Sequence, residues 1–335
     1  MATISVKGIL STVGNTPLVE LENLFHGSPV RVFAKLERFN PGGSIKDRSA
    51  LSMLLAKIHS GELVPGRAVV VESSSGNLAI GIAQICAYYG IRFICVVDPK
   101  TTEQNLAILR AYQTEIEMVC AEDGDTSQYL PLRMARVREL VGSIPHAYSP
   151  NQYHNHLNPR AHQRTMAEIV HGLGGRVDYL FCSTSTFGTL RGCADYARLH
   201  DLRTKFVAVD AIGSVIFGGQ RAPRLIPGHG ASVVPPLLDP TAAHEVAHIS
   251  DLECVVACRL LVNREAILAG GSSGAVVAAL ERHLPRIPAG ATAVMIFPDG
   301  GDRYLDTIYS DEWVHRHFGE VSHLWKEHTR ADSRP

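Results

Sequence analysis

Short runs of apolar, β-branched residues alternate along this chain with longer stretches whose apolar positions recur every three or four residues. Residues 30–36 (VRVFAKL) read as a strand, and 49–60 carry a helical spacing that stops at Gly61. A strand over 68–72 precedes a helix over 77–89 closed by Gly90, followed by a strand over 92–97, a helix over 102–112, a strand over 117–120 and a helix over 130–140. The alternation then resumes. A helix over 160–171, a strand over 177–182, a helix over 189–200 and a strand over 205–209 lead to helices over 260–268 and 275–283 and a strand over 292–297. Strands alternating with helices of ten or so residues require right-handed crossovers, hence mainly parallel sheets covered on both faces. The two blocks meet near the loop at 142–158, with no repeat and no low-complexity linker between them. At about 150 residues per domain, 335 residues make roughly two domains. The expected class is therefore α/β, with two domains that are each a mainly parallel sheet flanked by helices. The polar end, KEHTRADSRP at 326–335, reads as a frayed tail.

Composition narrows the function classes. Hydrophobic residues make up 45% and charged residues 19%, enough for a sizeable core. Lys plus Arg total 32 against 33 Asp plus Glu, so no whole-chain basic field exists and nucleic acid is not an expected partner. No run approaches the roughly 20 apolar residues of a membrane span, and the first eighteen residues lack the apolar core of a signal peptide. The seven cysteines are an odd number mostly embedded in apolar runs such as Ile94-Cys95-Val96-Val97, which suits a reducing compartment. The expected location is cytoplasmic. Cys254 and Cys258 have no second pair at zinc spacing, and His154, His156 and His162 read as polar loop residues, so no metal is expected.

Four loops join an element to a helix where an open α/β sheet binds its ligands. The first, Asn40 to Arg48 (NPGGSIKDR), has a sharp Pro-Gly-Gly turn that presents Lys46 just ahead of a helix. A charged lysine is disfavoured there, which suits a nucleophilic amine, while a solvated lysine beside Asp47 is the plainer reading. The second, Glu72-Ser73-Ser74-Ser75-Gly76-Asn77, offers more hydroxyls and N–H groups than one helix cap needs. The third, Ser183-Thr184-Ser185-Thr186-Phe187-Gly188-Thr189, can cradle a phosphate without a lysine; it is neither a Walker A loop nor a dinucleotide fingerprint. The fourth, Gly270-Gly271-Ser272-Ser273-Gly274, serves equally as a close helix-packing turn. One lysine and three anion-binding loops suggest a small phosphorylated cofactor held through an amine.

These segments, with Gly14-Asn15-Thr16-Pro17-Leu18 and Asn151-Gln152, resemble the fold-type II pyridoxal-phosphate (PLP) enzymes of the cysteine synthase and cystathionine β-synthase family, from about Gly8 to Trp313. The resemblance implies a tryptophan synthase β-like fold. It places a smaller mobile α/β domain at 35–150 and a larger cofactor-anchoring domain at 8–34 plus 151–325. It also implies roles. Lys46 matches the lysine that forms the Schiff base with PLP and then acts as acid/base. Asn77 matches the partner of the 3′-oxygen, and Ser185, Thr186, Gly188 and Thr189 match the phosphate loop, with Phe187 contributing its backbone. Ser272 matches the residue facing the pyridine nitrogen, and Ser74, Ser75 and Gln152 the grip on the substrate α-carboxylate. A serine opposite that nitrogen makes the ring a weaker electron sink, which favours loss of a β-substituent. A homodimer is expected.

The chain departs from the usual cysteine synthase loops, Thr-Ser-Gly-Asn-Thr-Gly and Gly-Thr-Gly-Gly-Thr, having SSSGNLA and STFGT instead. With Arg224-Leu225-Ile226-Pro227-Gly228 and Phe297-Pro298-Asp299-Gly300-Gly301-Asp302, this resembles a siderophore-pathway branch. That branch joins O-phospho-L-serine to L-glutamate through an aminoacrylate, releasing phosphate. Arg224 is a candidate for the substrate phosphate, against a plain surface arginine. The alternatives are a cysteine synthase taking sulfide onto O-acetylserine or O-phosphoserine, and a catalytically silent relative, against which the intact Lys46 argues.

Overall fold

Parallel strands covered on both faces lose the in–out alternation of an open sheet. In the computed structural model, which describes residues 7–121 and 129–326, Val69–Ser73 (β3) is buried at every position. It lies in a four-stranded parallel sheet with Arg92–Val97 (β4), Glu115–Met118 (β5) and Ala147–Tyr148 (β6), in the order β5-β4-β3-β6. Val70 and Cys95 face a core built with the helices Lys46–His59 (α1) and Asn77–Tyr89 (α2). Val69, Val71, Ile94 and Val96 face Val137 and Leu140 of the helix Tyr129–Ser143 (α4) on the other side. Helix α2 ends as expected, with Gly90 left-handed at φ +64°. Glu103–Ala111 (α3) starts on a Thr102 hydroxyl that accepts the Asn105 N–H. These elements form one unit, residues 1–15 and 40–161.

The second and larger unit, residues 16–39 and 162–335, has a six-stranded sheet. Its strands are Leu18–Glu20 (β1), Arg31–Leu36 (β2), Tyr179–Ser183 (β7), Lys205–Ala211 (β8), Glu245–Ile249 (β9) and Thr292–Phe297 (β10). Their order is β1-β2-β10-β7-β8-β9, parallel except for β1 on β2. The helices Asp251–Glu265 (α7) and Gly271–His283 (α8) pack on each other over one sheet face, and α8 is buried along nearly its whole length. Gly188–Leu199 (α6) follows β7, and Asp311–Phe318 (α9) and His323–Lys326 (α10) close the described chain. Leu157–Gly172 (α5) begins before the division at residue 161 and ends after it.

The division differs from the expected one at 35 and 150. Residues 35–39 stay with the larger unit because β2 is hydrogen-bonded to β10. Residues 8–15 and 151–161 belong with the smaller one, where the Gly14 N–H donates to Asn40 Oδ1 at 2.8 Å and Ser49 Oγ to Asn158 Oδ1 at 2.8 Å. The helix expected at 260–268 begins nine residues earlier, on a capping box between Ser250 and Glu253. Its inward side is built largely from Ala and Cys, which give a weak apolar period. Strand β9 escapes the pattern for a similar reason, since its inward residues include Ala247 while Val246 is exposed. Trp325 is buried in α10, and the expected tail from residue 327 onward lies outside the described residues.

Candidate active site

In the smaller unit the candidate residues are Lys46 and Asn77, which open α1 and α2, and Ser74, Ser75 and Gln152, which follow the adjacent parallel strands β3 and β6. The first is Lys46, half-buried at the start of α1. The turn before it is fixed by backbone geometry: Gly43 has φ +84° and donates its N–H to the Asn40 carbonyl at 2.8 Å. The buried Asp47 accepts the Gly42 N–H at 2.5 Å, and a Cβ on Gly42 would overlap that carboxylate. Helix α1 lies against α2 at Gly81, where a Cβ would come within 3.2 Å of Ala50 Cβ and 3.4 Å of Asp47 Cα. Asn77 is one turn before Gly81 on the same face, so Lys46 and Asn77 head neighbouring helices.

Between β3 and α2, Ser74 Oγ accepts the Ala79 N–H at 3.2 Å, leaving its hydroxyl hydrogen able to donate. Ser75 is half-buried, and its carbonyl accepts Asn105 Nδ2 at 3.0 Å. Gln152 follows β6, the strand beside β3. It is buried, with an Oε1 that has no hydrogen-bond partner, and its carbonyl accepts Asn158 Nδ2 at 2.9 Å.

Two residues here, Glu72 and Arg133, have no role assigned from the sequence. Glu72 is the next-to-last residue of β3 and is fully buried, its carboxylate accepting the Ser73 N–H at 2.9 Å and the Asn151 N–H at 2.6 Å. Burial pushes it up to about 7, against those two bonds and the nearby charge of Arg133. Asn151 is left-handed at φ +48°. Arg133 forms an ion pair with Asp98 through Nε at 3.2 Å, while its Nη1 is buried without a hydrogen-bond partner. A charged residue closing the apolar run Val69-Val70-Val71 is the one signal that could have marked Glu72 in the sequence. Nothing local marks Arg133.

In the larger unit, Ser185, Thr186, Phe187, Gly188 and Thr189 join β7 to α6. Phe187 sits left-handed at φ +69° with its ring buried, and no side chain caps the first turn of α6, leaving helical N–H groups directed at the loop. The loop is backed by two buried histidines. Thr189 Oγ1 lies 3.4 Å from Nε2 of the buried His162, and Ser183 Oγ lies 2.8 Å from Nδ1 of the buried His229. Burial, helped by the Arg224 charge, lowers His229 to about 3, so it is neutral. Ser272 lies in the first turn of α8, mostly buried, with no hydrogen-bond partner for its hydroxyl within the described residues. The turn ahead of it is tied down by the Gly270 N–H on the Asp299 carbonyl at 3.2 Å and by Tyr309, whose hydroxyl donates to the Ala269 carbonyl at 2.6 Å. Arg224 holds its own loop, donating through Nη1 to the His229 carbonyl at 3.0 Å and through Nη2 to Ser232 Oγ at 2.8 Å.

A lysine amine, a carboxamide, a helix-borne hydroxyl and an uncapped Ser/Thr/Gly turn are the donor set that an aldehyde, a phenolic oxygen, a ring nitrogen and a phosphate require of a protein. Residues 9–299 match the pyridoxal-phosphate-dependent enzyme family. The chain belongs to this family. It is 45% identical over 311 residues to an N-(2-amino-2-carboxyethyl)-L-glutamate synthase of Ralstonia nicotianae, covering 92% of this chain and 91% of that one. It is 46% identical over 314 residues to the protein of the same name from Cupriavidus metallidurans, covering 92% of each. Among solved structures it resembles an O-acetylserine-dependent cystathionine β-synthase from Helicobacter pylori, with a TM-score of 0.84, 29% identity and coverage of 92% of this chain and all of that one. The fold is thus that of the type II PLP enzymes, and the protein is a PLP-dependent enzyme.

Proposed function

We propose that this PLP enzyme replaces the phosphate of O-phospho-L-serine with the amine of L-glutamate, giving N-(2-amino-2-carboxyethyl)-L-glutamate and inorganic phosphate for siderophore biosynthesis. What carries the reading is 45–46% identity, over nine-tenths of both chains, to two synthases of that name. When bound, PLP supplies the electron sink that lets an amino acid lose its α-proton and β-substituent.

The remaining roles fall to side chains. Lys46 would tether the coenzyme and, once displaced by the substrate amine, accept the α-proton. Asn77 would hydrogen-bond the ring oxygen, and Ser272 the ring nitrogen without forcing a proton onto it. The N–H and hydroxyl groups of Ser185, Thr186, Gly188 and Thr189, with the Phe187 backbone, would hold the phosphate by direction rather than by charge. Ser74, Ser75 and Gln152 would bind the substrate α-carboxylate; the unpartnered Gln152 Oε1 suits a residue whose amide is oriented by a ligand.

The leaving phosphate needs fixed positive charge. Arg224 can offer it only by sharing donors that already hold its loop, whereas Arg133, anchored through Nε to Asp98, keeps a buried Nη1 without a hydrogen-bond partner. Family membership supports a homodimer. Seven free cysteines, six of them buried, support a reducing, cytoplasmic setting.

The test is product mass. Incubating the holoenzyme and phosphoserine with glutamate or with sulfide should give the glutamate adduct and phosphate in the first case. Cysteine as the sole product would move the protein to the cysteine synthase reading.

A further inference from the structure

The proposed carboxylate-binding residues lie on two separate loops, 73–77 and 151–152, and neither loop is held by its own contacts alone. One side chain joins them. Glu72 is the next-to-last residue of β3, and its Oε1 accepts the N–H of Ser73, where the strand passes into the loop carrying Ser74 and Ser75. Its Oε2 accepts the N–H of Asn151 at 2.6 Å, a charge-assisted length. Asn151 is a non-glycine residue at φ +48°, a conformation that persists only where surroundings impose it. The next residue is Gln152. From there the order continues: the Gln152 carbonyl accepts Asn158 Nδ2 at 2.9 Å, and Asn158 Oδ1 accepts Ser49 Oγ at 2.8 Å. Ser49 lies three residues after Lys46 on α1. One buried carboxylate thus begins a hydrogen-bonded path from the serine loop through Gln152 to the helix that opens with the lysine.

We propose that Glu72 is a positioning residue for the substrate α-carboxylate, fixing the left-handed turn at Asn151 and the first residue of the serine loop so that Ser74, Ser75 and Gln152 converge. Glu72 does not touch substrate in this assignment. Keeping a carboxylate in a fully buried position is costly, and burial holds it at about 7. A side chain that only filled space there would be apolar.

The inference rests on the assignment of Ser74, Ser75 and Gln152 to the carboxylate, not on the identity of the β-substituent, so both can be tested at once. Glu72→Gln keeps the volume and one acceptor oxygen but sets an NH2 group against one of the two N–H donors. In the holoenzyme we expect at least a tenfold rise in KM for phosphoserine and a kcat within about threefold of the parent. Coenzyme content and absorbance should not change, and the melting temperature should be equal or higher above pH 7. Asn151→Gly, which keeps the N–H and is at ease at positive φ, should leave KM within about twofold. An unchanged KM in Glu72→Gln would overturn the proposal. So would a loss of kcat together with coenzyme and melting temperature, which would make Glu72 a structural residue only. If the parent enzyme ignores phosphoserine but turns over O-acetylserine, the phosphoserine reading fails. The same comparison then runs on O-acetylserine, which carries the same α-carboxylate.

Discussion

Gly274 offers a test of how the turn carrying Ser272 is held. It sits in the first turns of α8, where that helix crosses α7. A Cβ there would lie closer to the Cys254 carbonyl oxygen than real Cβ atoms come, 2.7 Å from Cys258 Sγ and 3.0 Å from the Cys254 carbonyl carbon. Two effects compete in Gly274→Ala. Helix propensity favours alanine by about 1 kcal/mol. Overpacking costs roughly 1–3 kcal/mol, and the top of that range applies because the clash is with a backbone carbonyl in the first turn of α7, not with the end of a flexible side chain. The expected balance is a loss of about 2 kcal/mol, or a melting temperature lower by about 3 °C in a chain of this size. Relief would come by shifting α8, so coenzyme affinity should also fall. Gly142→Ala is the control. It lies near the end of α4, where an added methyl would have nothing within 4 Å, so the same substitution should gain up to about 1 kcal/mol. Thermal melting of the two holoenzymes, with a coenzyme titration, decides it. If Gly274→Ala melts at or above the parent while Gly142→Ala behaves as expected, the α7–α8 contact is not what fixes Ser272.

Other outcomes follow from the charged and buried groups. Arg133→Ala should lose far more turnover with phosphoserine than Arg224→Ala, while both retain turnover with O-acetylserine; the reverse order would return the phosphate to Arg224. His229 is held at about 3 when folded and 6.5 when free, so the unfolded chain binds the extra proton and stability falls on acidification below about 6.5, by about 1.4 kcal/mol per pH unit. His229→Gln should lessen that slope in urea titrations between pH 6.5 and 5; an unchanged slope would refute the burial argument. Glu72 has the opposite sign. Held at about 7 against 4.5 when free, it takes its proton first in the folded state, so its contribution to stability falls as pH rises from about 4.5 to about 7.

Sequence pattern revealed most of the frame and only part of the site. Strands at 92–97 and 292–297 and the helix at 77–89 form at their expected residues, since each is an apolar run or an amphipathic period with clear punctuation. Edge and two-residue strands such as β1 and β6 carry too few residues to show a period. Lys46, Asn77 and the loop at 185–189 stand out because each lies in a run of Gly, Ser or Thr longer than one helix cap needs. Glu72, Arg133 and His229 do not, because their significance lies in partners far along the chain: Asn151 is 79 residues from Glu72 and Ser183 is 46 from His229.

That difference bears on what the site can tolerate. Residues 183–190 contain no lysine or arginine, so in the proposed assignment the larger unit binds a phosphate only through oriented N–H and hydroxyl groups. Attraction between charges falls off slowly with distance, whereas a hydrogen bond weakens steeply once its angle is lost. A loop that binds by direction therefore depends on whatever keeps it still. Here that is the Gly230 N–H on the Thr184 carbonyl at 2.7 Å, the Thr184 N–H on the Val209 carbonyl at 2.9 Å, and the two buried histidines behind Ser183 and Thr189. A neutral His229 serves this purpose better than a charged one, because a proton on it would add an unpaired charge to a buried position beside Arg224. In that assignment the groups behind the loop would be as much a part of coenzyme binding as the hydroxyls that touch the phosphate.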